Sequence, residues 1–493
     1  MEIVHLTTEI APFAKVGGLA DVIYGLSHAQ VKNQDHVEVI LPKYEKLNLS
    51  LIEPYEVIVH DLMVLYAEKE HHCTVWQGKM HGILVTLIES HDATGFFERE
   101  HIYGYPDDTS RFTYFSVACM EILKMREKKP DIIHIHDWPT ALVAPLVKKA
   151  LFPSRVVFTI HNLAYQGICD EKTFNQTGLD AKSYLTPDLL QDVQYPHLLN
   201  LLKGALVYAD AVTTVSPTYA KEILSFSLGG LMHKVLQKYE KKIVGILNGI
   251  DFQFWNPSQD LHLPHSYSHE EIQNSVPFLQ NKLKNKEHLR RTLGLNENSP
   301  SPLVAVIARL CPQKGPDLIQ HAIHTTLKMG GQFVLIGTTT DPETHDSFYA
   351  LKCELAPSCQ VHIELSYNES LAHLLFAAAD LFLVPSLFEP CGLTQMIAMR
   401  YGTLPLVRET GGLVDTVFDI DNAELPEKKR NGFSFLPYSA EGIERCLERA
   451  FALFRSDPLK WRNMMEVGMK TDFSWEAPAK TYHDLYAVKA RVL

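Results

Sequence analysis

Short apolar runs recur along the chain and alternate with longer stretches of helix-like amphipathic pattern. A brief apolar run bounded by turn residues marks a strand buried on both faces, whereas apolar residues returning at helical spacing mark a half-buried helix. Strands are thereby predicted over 3–6, 37–41, 132–135, 156–160 and 211–215. The pattern then restarts, with strands over 303–307, 333–336, 361–365, 381–384 and 404–407 and helical segments such as 316–328 between them. This alternation predicts an α/β protein with a mostly parallel, doubly wound sheet in each half. The join is placed at 245–248, giving two halves of ordinary domain size. Beyond it, 257–277, rich in His, Ser and Pro, reads as a loop, and 285–295 as a helix ending at Gly294. Ligands of doubly wound sheets lie at the carboxyl ends of strands, so a cleft between two facing sheets is the expected site.

Composition narrows the partners. The chain has 493 residues, 46% hydrophobic and 21% charged, an ordinary globular balance. A net charge of -12 without a long basic run argues against nucleic acid as a partner. Met1-Glu2-Ile3-Val4-His5-Leu6 reads as an immediate strand rather than an export signal. No stretch approaches the roughly 18 to 20 apolar residues of a membrane span. A soluble, cytoplasmic protein with no membrane partner is expected; its oligomeric state is left open. The eight cysteines are scattered and form no Cys-x-x-Cys, so reduced thiols are expected, with neither a zinc site nor a disulfide framework. His262, His265 and His269 read as part of a solvated loop, since no Asp, Glu or Cys completes a ligand set at fixed spacing.

Five segments could carry chemistry. Lys15-Val16-Gly17-Gly18-Leu19-Ala20-Asp21-Val22 follows the first strand and precedes a helix, a setting for either a tight structural turn or a loop whose amides approach a phosphate. Gly-Gly-Leu-x-Asp recurs at Gly411 to Asp415, so both halves use tight glycine loops. His134-Ile135-His136-Asp137-Trp138 ends a strand in polar residues; His-x-His-Asp is either a metal-binding string or, the favoured reading, a pair of hydrogen-bonded structural histidines followed by Asp137 as a substrate contact. His161 and Asn162 tip the next strand, where His161 is either a general base or a structural histidine. In the second half, Arg309 closes a strand and Lys314 opens the following helix, a pair of cations suited to a diphosphate or to a solvated surface. Finally, Glu389-Pro390-Cys391-Gly392-Leu393-Thr394 places a carboxylate beside helix-initiating amides that could hold an anion.

Together these segments resemble the bacterial glycogen synthase and plant starch synthase family over essentially the whole chain. Further strings that carry the likeness are Arg111-Phe112, Phe115-Ser116, Val215-Ser216-Pro217-Thr218-Tyr219-Ala220, Leu247-Asn248-Gly249-Ile250-Asp251, Trp255-Asn256-Pro257 and Tyr401-Gly402-Thr403-Leu404-Pro405. The resemblance implies the GT-B architecture, two Rossmann-like domains facing across a deep cleft: 1–245 completed by a terminal helix 475–493, and 246–474 as the nucleotide-sugar domain. It implies transfer of glucose from ADP-glucose to the non-reducing 4-hydroxyl of an α-1,4-glucan (glycogen), with retention and with no metal or other cofactor. Arg309 and Lys314 would stabilise the departing ADP, with Gly18, Leu393 and Thr394 assisting. Lys15, Asp21, Asn248, Cys391 and Gly392 would complete the donor site, and Tyr367 would stack on adenine. Glu389 would orient the donor glucose, Asp137 would contact substrate, and the His161 backbone carbonyl would face the anomeric carbon. No settled carboxylate nucleophile accompanies the likeness, so a front-face reaction is expected, in which the leaving phosphate takes the acceptor's proton. Two other readings are a same-fold transferase using UDP-glucose or a small acceptor, and an inactive glucan-binding protein. The second predicts a lost charge at the donor site, yet Lys15, Arg309, Lys314 and Glu389 are all present.

Overall fold

The computed structural model describes residues 1–91, 95–268 and 276–488. Its strands in chain order are β1 (Glu2–Leu6), β2 (His36–Pro42), β3 (Glu56–Tyr66), β4 (Lys69–Met80), β5 (Ile83–Ser90), β6 (Ile132–His136), β7 (Arg155–Ile160), the short β8 (Ile168–Cys169) and β9 (Leu199–Asn200), β10 (Ala211–Thr214) and β11 (Ile243–Gly245). They continue with β12 (Leu303–Arg309), β13 (Gln332–Thr338), β14 (Val361–Glu364), β15 (Leu381–Val384), β16 (Leu404–Arg408) and β17 (Phe433–Phe435). The chain divides into two compact units, Met1–Gly249 with Ser474–Leu493, and Ile250–Phe473.

Among the described residues, the sheet of the first unit runs β11-β10-β7-β6-β1-β2-β5-β4-β3. Its centre is parallel and buried on both faces, which is why β1, β6, β7 and β10 read as continuous apolar runs. One edge departs from the expected pattern: β4 pairs antiparallel with both β3 and β5. Of these three strands, β3 went unread because it exposes one face, with Met63 and Leu65 in solvent, and β4 because it opens on Lys69-Glu70-His71-His72; β5 is a largely buried apolar run that carries the usual signal and was passed over. The helix Glu476–Ala487 belongs to this unit, where Trp475, Tyr482 and Tyr486 pack on Ile3, Leu26, Ile132 and Val157. Arg155 donates to the carbonyls of Leu485, Tyr486 and Val488, satisfying the open end of that helix. Residues 489–493 of the expected terminal segment lie outside the described residues.

The sheet of the second unit runs β14-β13-β12-β15-β16-β17, parallel throughout. In the segment preceding it, 257–268 form a loop as expected and 269–275 lie outside the described residues, while the helix expected over 285–295 begins earlier and spans Val276–Leu293. Proline at 277 fits the first helical turn, where its missing N–H would have no partner. Packing extends the helix backwards, burying Phe278 and Lys282; Lys282 Nζ donates to the carbonyls of Ala377 and Tyr401. The helix ends as expected, with Gly294 in the left-handed region at φ +67°. Among the described residues no helix is long and apolar enough to cross a membrane.

Candidate active site

In each sheet the winding reverses once. In the first unit the chain winds outward from β1 through β2 and from β6 through β7, so the reversal lies between β1 and β6. In the second it lies between β12 and β15. Loops leaving the carboxyl ends at such a point diverge and open a crevice. The segments with Lys15 and Asp137 follow β1 and β6, and those with Arg309 to Lys314 and with Glu389 follow β12 and β15.

At the first crevice the glycine loop is organised by Glu9, a buried residue on the run-out from β1. Its Oε2 accepts the amides of Val16 at 2.7 Å and Gly17 at 3.0 Å, and its Oε1 accepts the Tyr103 hydroxyl at 2.8 Å. Those two amides are therefore committed within the protein, in keeping with the tight-turn alternative at Val16 and Gly17. Gly18 opens the helix Gly18–Lys32, and Lys15 Nζ meets Asp21 Oδ1 at 2.7 Å. Glu9 was missed by sequence reasoning, although a polar residue ending an apolar strand was the signal used for Asp137 and His161.

Asp137 sits at the tip of β6 with φ +56° and ψ -177°, a conformation that side-chain-bearing residues adopt at a cost of about 1–3 kcal/mol and that concentrates at functional sites. Its Oδ1 accepts the amides of His161 at 2.7 Å and Asn162 at 3.3 Å. Desolvation nevertheless pushes its carboxyl up to about 7, against those two hydrogen bonds. His161 follows β7, and its Nε2 lies 3.0 Å from His136 Nδ1. Asn248 is buried, and its Oδ1 has no hydrogen-bond partner among the described residues, an unmet acceptor of the kind that ligands satisfy.

His5, His134 and His136 place one ring nitrogen each within 4.8 Å of one another, a spacing a metal ion could use. Their nitrogens are engaged otherwise. His5 Nε2 meets Gln30 Oε1 at 2.8 Å and His5 Nδ1 meets His136 Nε2 at 3.0 Å. His134 meets the Tyr486 hydroxyl at 2.7 Å and the Thr159 hydroxyl at 2.6 Å. The alternating histidines of β6 are thus hydrogen-bonded core groups. His262 likewise meets the Ser370 hydroxyl at 2.9 Å, and His269 lies outside the described residues.

At the second crevice Lys314 Nζ lies 2.6 Å from Glu389 Oε2, which also accepts the Ser386 hydroxyl at 2.8 Å. Glu389 is buried, whereas Arg309 is exposed. Arg408, at the end of β16, braces the loop by donating from Nε to the Ser386 carbonyl at 2.8 Å and from a terminal nitrogen to the Leu387 carbonyl. The turn before the helix Pro316–Lys328 is tied to the same loop, Leu387 N donating to the Gln313 carbonyl at 2.8 Å. Behind Glu389 runs the second glycine loop: Gly412 N donates to the Glu389 carbonyl at 3.1 Å, and a Cβ on Gly411 would lie 2.0 Å from that oxygen. This approach explains the paired glycines there, since Gly411 also has φ +48°. Cys391 is buried beside the loop, and Gly392 and Leu393 lead into the helix Thr394–Arg400. Tyr367, beyond β14, is 56% exposed.

Residues 2–238 match the family model described as the starch synthase catalytic domain, and residues 286–454 that of glycosyl transferases group 1. The chain is 43% identical to the glycogen synthase of Protochlamydia amoebophila over 500 aligned positions, covering all of both chains. It is also 43% identical to glycogen synthase 2 of Methylococcus capsulatus, over 98% of this chain and 99% of that one. Among solved structures, the catalytic domain of starch synthase IV from Arabidopsis thaliana, bound to ADP and acarbose, superposes with a TM-score of 0.94 at 43% identity over 98% of each chain.

Proposed function

Because the chain belongs to the glycogen and starch synthase family, with the two Rossmann-like domains of the GT-B fold, we propose that it uses ADP-glucose to lengthen an α-1,4-glucan. It is a hexosyltransferase of glycogen synthesis. The donor, the retention of anomeric configuration and the residue roles below are our reading, as is its place in the cytoplasm.

The observation that carries this reading is the cation–carboxylate pair at the second switch point, Lys314 against a buried Glu389, with Arg309 closing β12 at the carboxyl end of the same sheet. When the glycosidic bond to the nucleotide breaks, negative charge grows on the leaving diphosphate. Cations beside the leaving group stabilise that charge most in the transition state, which lowers the barrier. Arg309 and Lys314 take this role, with Gly18, Leu393 and Thr394 as further donors. Lys15, Asp21, Asn248, Cys391 and Gly392 complete the donor site, and Tyr367 stacks on the base. Because these cations do the work, the reaction calls for no metal ion or prosthetic group. Glu389 spends Oε2 on Lys314 and Ser386, which favours orienting the glucose hydroxyls over attacking carbon. The leaving phosphate then takes the acceptor's proton on the same face. Asp137, held partly protonated near neutrality, contacts the sugar, and the His161 carbonyl faces the anomeric carbon.

The test is glucose incorporation into glycogen from ADP-glucose and from UDP-glucose, with EDTA throughout, for the wild type and Lys314→Ala. We expect transfer from ADP-glucose that survives EDTA and falls by about 100- to 1,000-fold in the variant, the loss typical of one removed charge-stabilising donor. A melting curve of the variant separates lost catalysis from lost folding, since truncation leaves the Glu389 carboxylate buried without its counter-charge. Transfer from UDP-glucose alone would overturn the donor assignment, and transfer from neither the whole reading. A glucosyl adduct trapped on Glu389 would overturn the front-face step.

A further inference from the structure

The first sheet carries a polar stripe across its buried face. Register places His5 of β1 opposite His134 of β6, His136 opposite Thr159 of β7, and Thr159 opposite Thr213 of β10. Parallel strands buried on both faces seldom carry three titratable rings in contact, because each polar atom needs a partner there. The stripe ends at the site, in the contact between His136 and His161, and begins at Gln30 on the helix Gly18–Lys32.

The direction of its hydrogen bonds follows from Gln30. The amide nitrogen of Gln30 donates to the Tyr486 hydroxyl at 3.3 Å, so its carbonyl oxygen faces His5 Nε2 at 2.8 Å and accepts from it. A neutral imidazole has a single N–H, so His5 Nδ1 must accept, and the donor is His136 Nε2 at 3.0 Å. His136 Nδ1 then accepts in turn from His161 Nε2, also at 3.0 Å. His161 Nδ1 has no hydrogen-bond partner among the described residues and does not number among the buried unsatisfied atoms. Burial supports the neutral forms, lowering His5 to about 4 and His161 to about 3. The other titratable groups facing the chain are His134, Tyr486 and Asp137, the last taking the His161 amide.

We propose that His136 is a positioning residue: through the chain Gln30–His5–His136–His161 it fixes the His161 proton on Nε2 and leaves Nδ1 as an acceptor for a hydroxyl of the transferred sugar. The inference rests on the reading that His161 lines the sugar site. His136 acts only through His161. A ring free to rotate or to exchange tautomers would present a donor as often as an acceptor, so losing the chain lowers turnover more than binding.

The test replaces His136 by Phe, which keeps the ring volume without an acceptor, and by Gln, whose carbonyl can still accept from His161 Nε2. For His136→Phe we expect kcat to fall by about 10- to 100-fold with KM for ADP-glucose within about threefold, and His136→Gln to recover most of it. Ring ¹⁵N shifts of histidine-labelled protein, assigned by difference against His161→Asn, should show His161 only as the Nε2–H tautomer in the wild type and as a mixture in His136→Phe. If His136→Phe does not fold, Gln30→Leu interrupts the chain at its far end and should produce the same mixture. Unchanged kcat, equal losses in both His136 variants, or an Nδ1–H tautomer in the wild type would each overturn the proposal. Absence of any transfer by the wild type would instead overturn the functional reading beneath it.

Discussion

Acidification from pH 7.5 to 5.5 should weaken the first unit more than the second, and the buried imidazoles set the size of the effect. His5, His134 and His136 are fully buried, and burial holds each well below its usual 6.5, His5 at about 4. Released into water, each regains the usual value and at pH 5.5 is mostly protonated, so the unfolded state binds more protons and stability falls with pH. The linkage amounts to about 1.4 kcal/mol per ring, or about 4 kcal/mol for three, and the partly buried His161 adds about 1. Asp137 opposes them. Its value is raised from 3.8 to about 7, so the folded state takes up its proton as pH falls, and the stability this contributes is lost only as pH rises through about 7. Discounted for partial exposure, that term restores about 1 kcal/mol, leaving a net loss of about 4 kcal/mol against a typical total of 5–15. Hydrogen exchange followed by mass spectrometry, corrected for intrinsic rates, reads it directly: peptides over 132–160 should lose protection between the two pH values, while peptides over 303–338 keep theirs. In Asp137→Asn the loss should grow by about 1 kcal/mol. Equal protection of 132–160 at both pH values, or earlier loss in the second unit, would refute the assignment of neutral rings to the first sheet.

Two glycines give steric tests. Gly411→Ala would set a Cβ 2.0 Å from the Glu389 carbonyl oxygen at φ +48°, so the loop bearing Glu389 must shift; we expect kcat about 100-fold lower with every charged group retained, measured by steady-state transfer, and near-normal kcat would show that the loop's position is immaterial. Gly25→Ala would set a Cβ 2.0 Å from Trp475 Nε1 and lift the terminal helix from its seat; a destabilisation of about 1–3 kcal/mol and new proteolysis after residue 474 are expected, and an unchanged melt with no cleavage would show the indole has room to move.

Much of this was written locally. Apolar runs marked strands that are buried on both faces, because such strands have no polar face to mask the signal. The same rule explains what was hidden: β3 and β4 keep polar side chains in solvent, and the first turns of the helix Val276–Leu293 went unread because its pattern was followed only from residue 285. The candidate residues were legible because a polar group at the end of an apolar strand has little structural reason to be there. Lys15, Asp137, His161, Arg309 and Glu389 were picked out as candidates by that signal or by family likeness.

What each of those residues touches was not legible. Sequence gave no hint that Glu9 closes on the amides of Val16 and Gly17, that Lys314 pairs with a carboxylate 75 residues away, or that His5 and His136, 131 residues apart, share a hydrogen bond. The reason is physical. Periodicity records which face of an element avoids water, a property of neighbouring residues alone, whereas a hydrogen bond depends on which strands lie side by side and in what register. The amino-acid order therefore determined the elements and the residues that could react; only the winding of the two sheets, by setting β1 beside β6 and β12 beside β15, decided their partners, their protonation and so their chemistry.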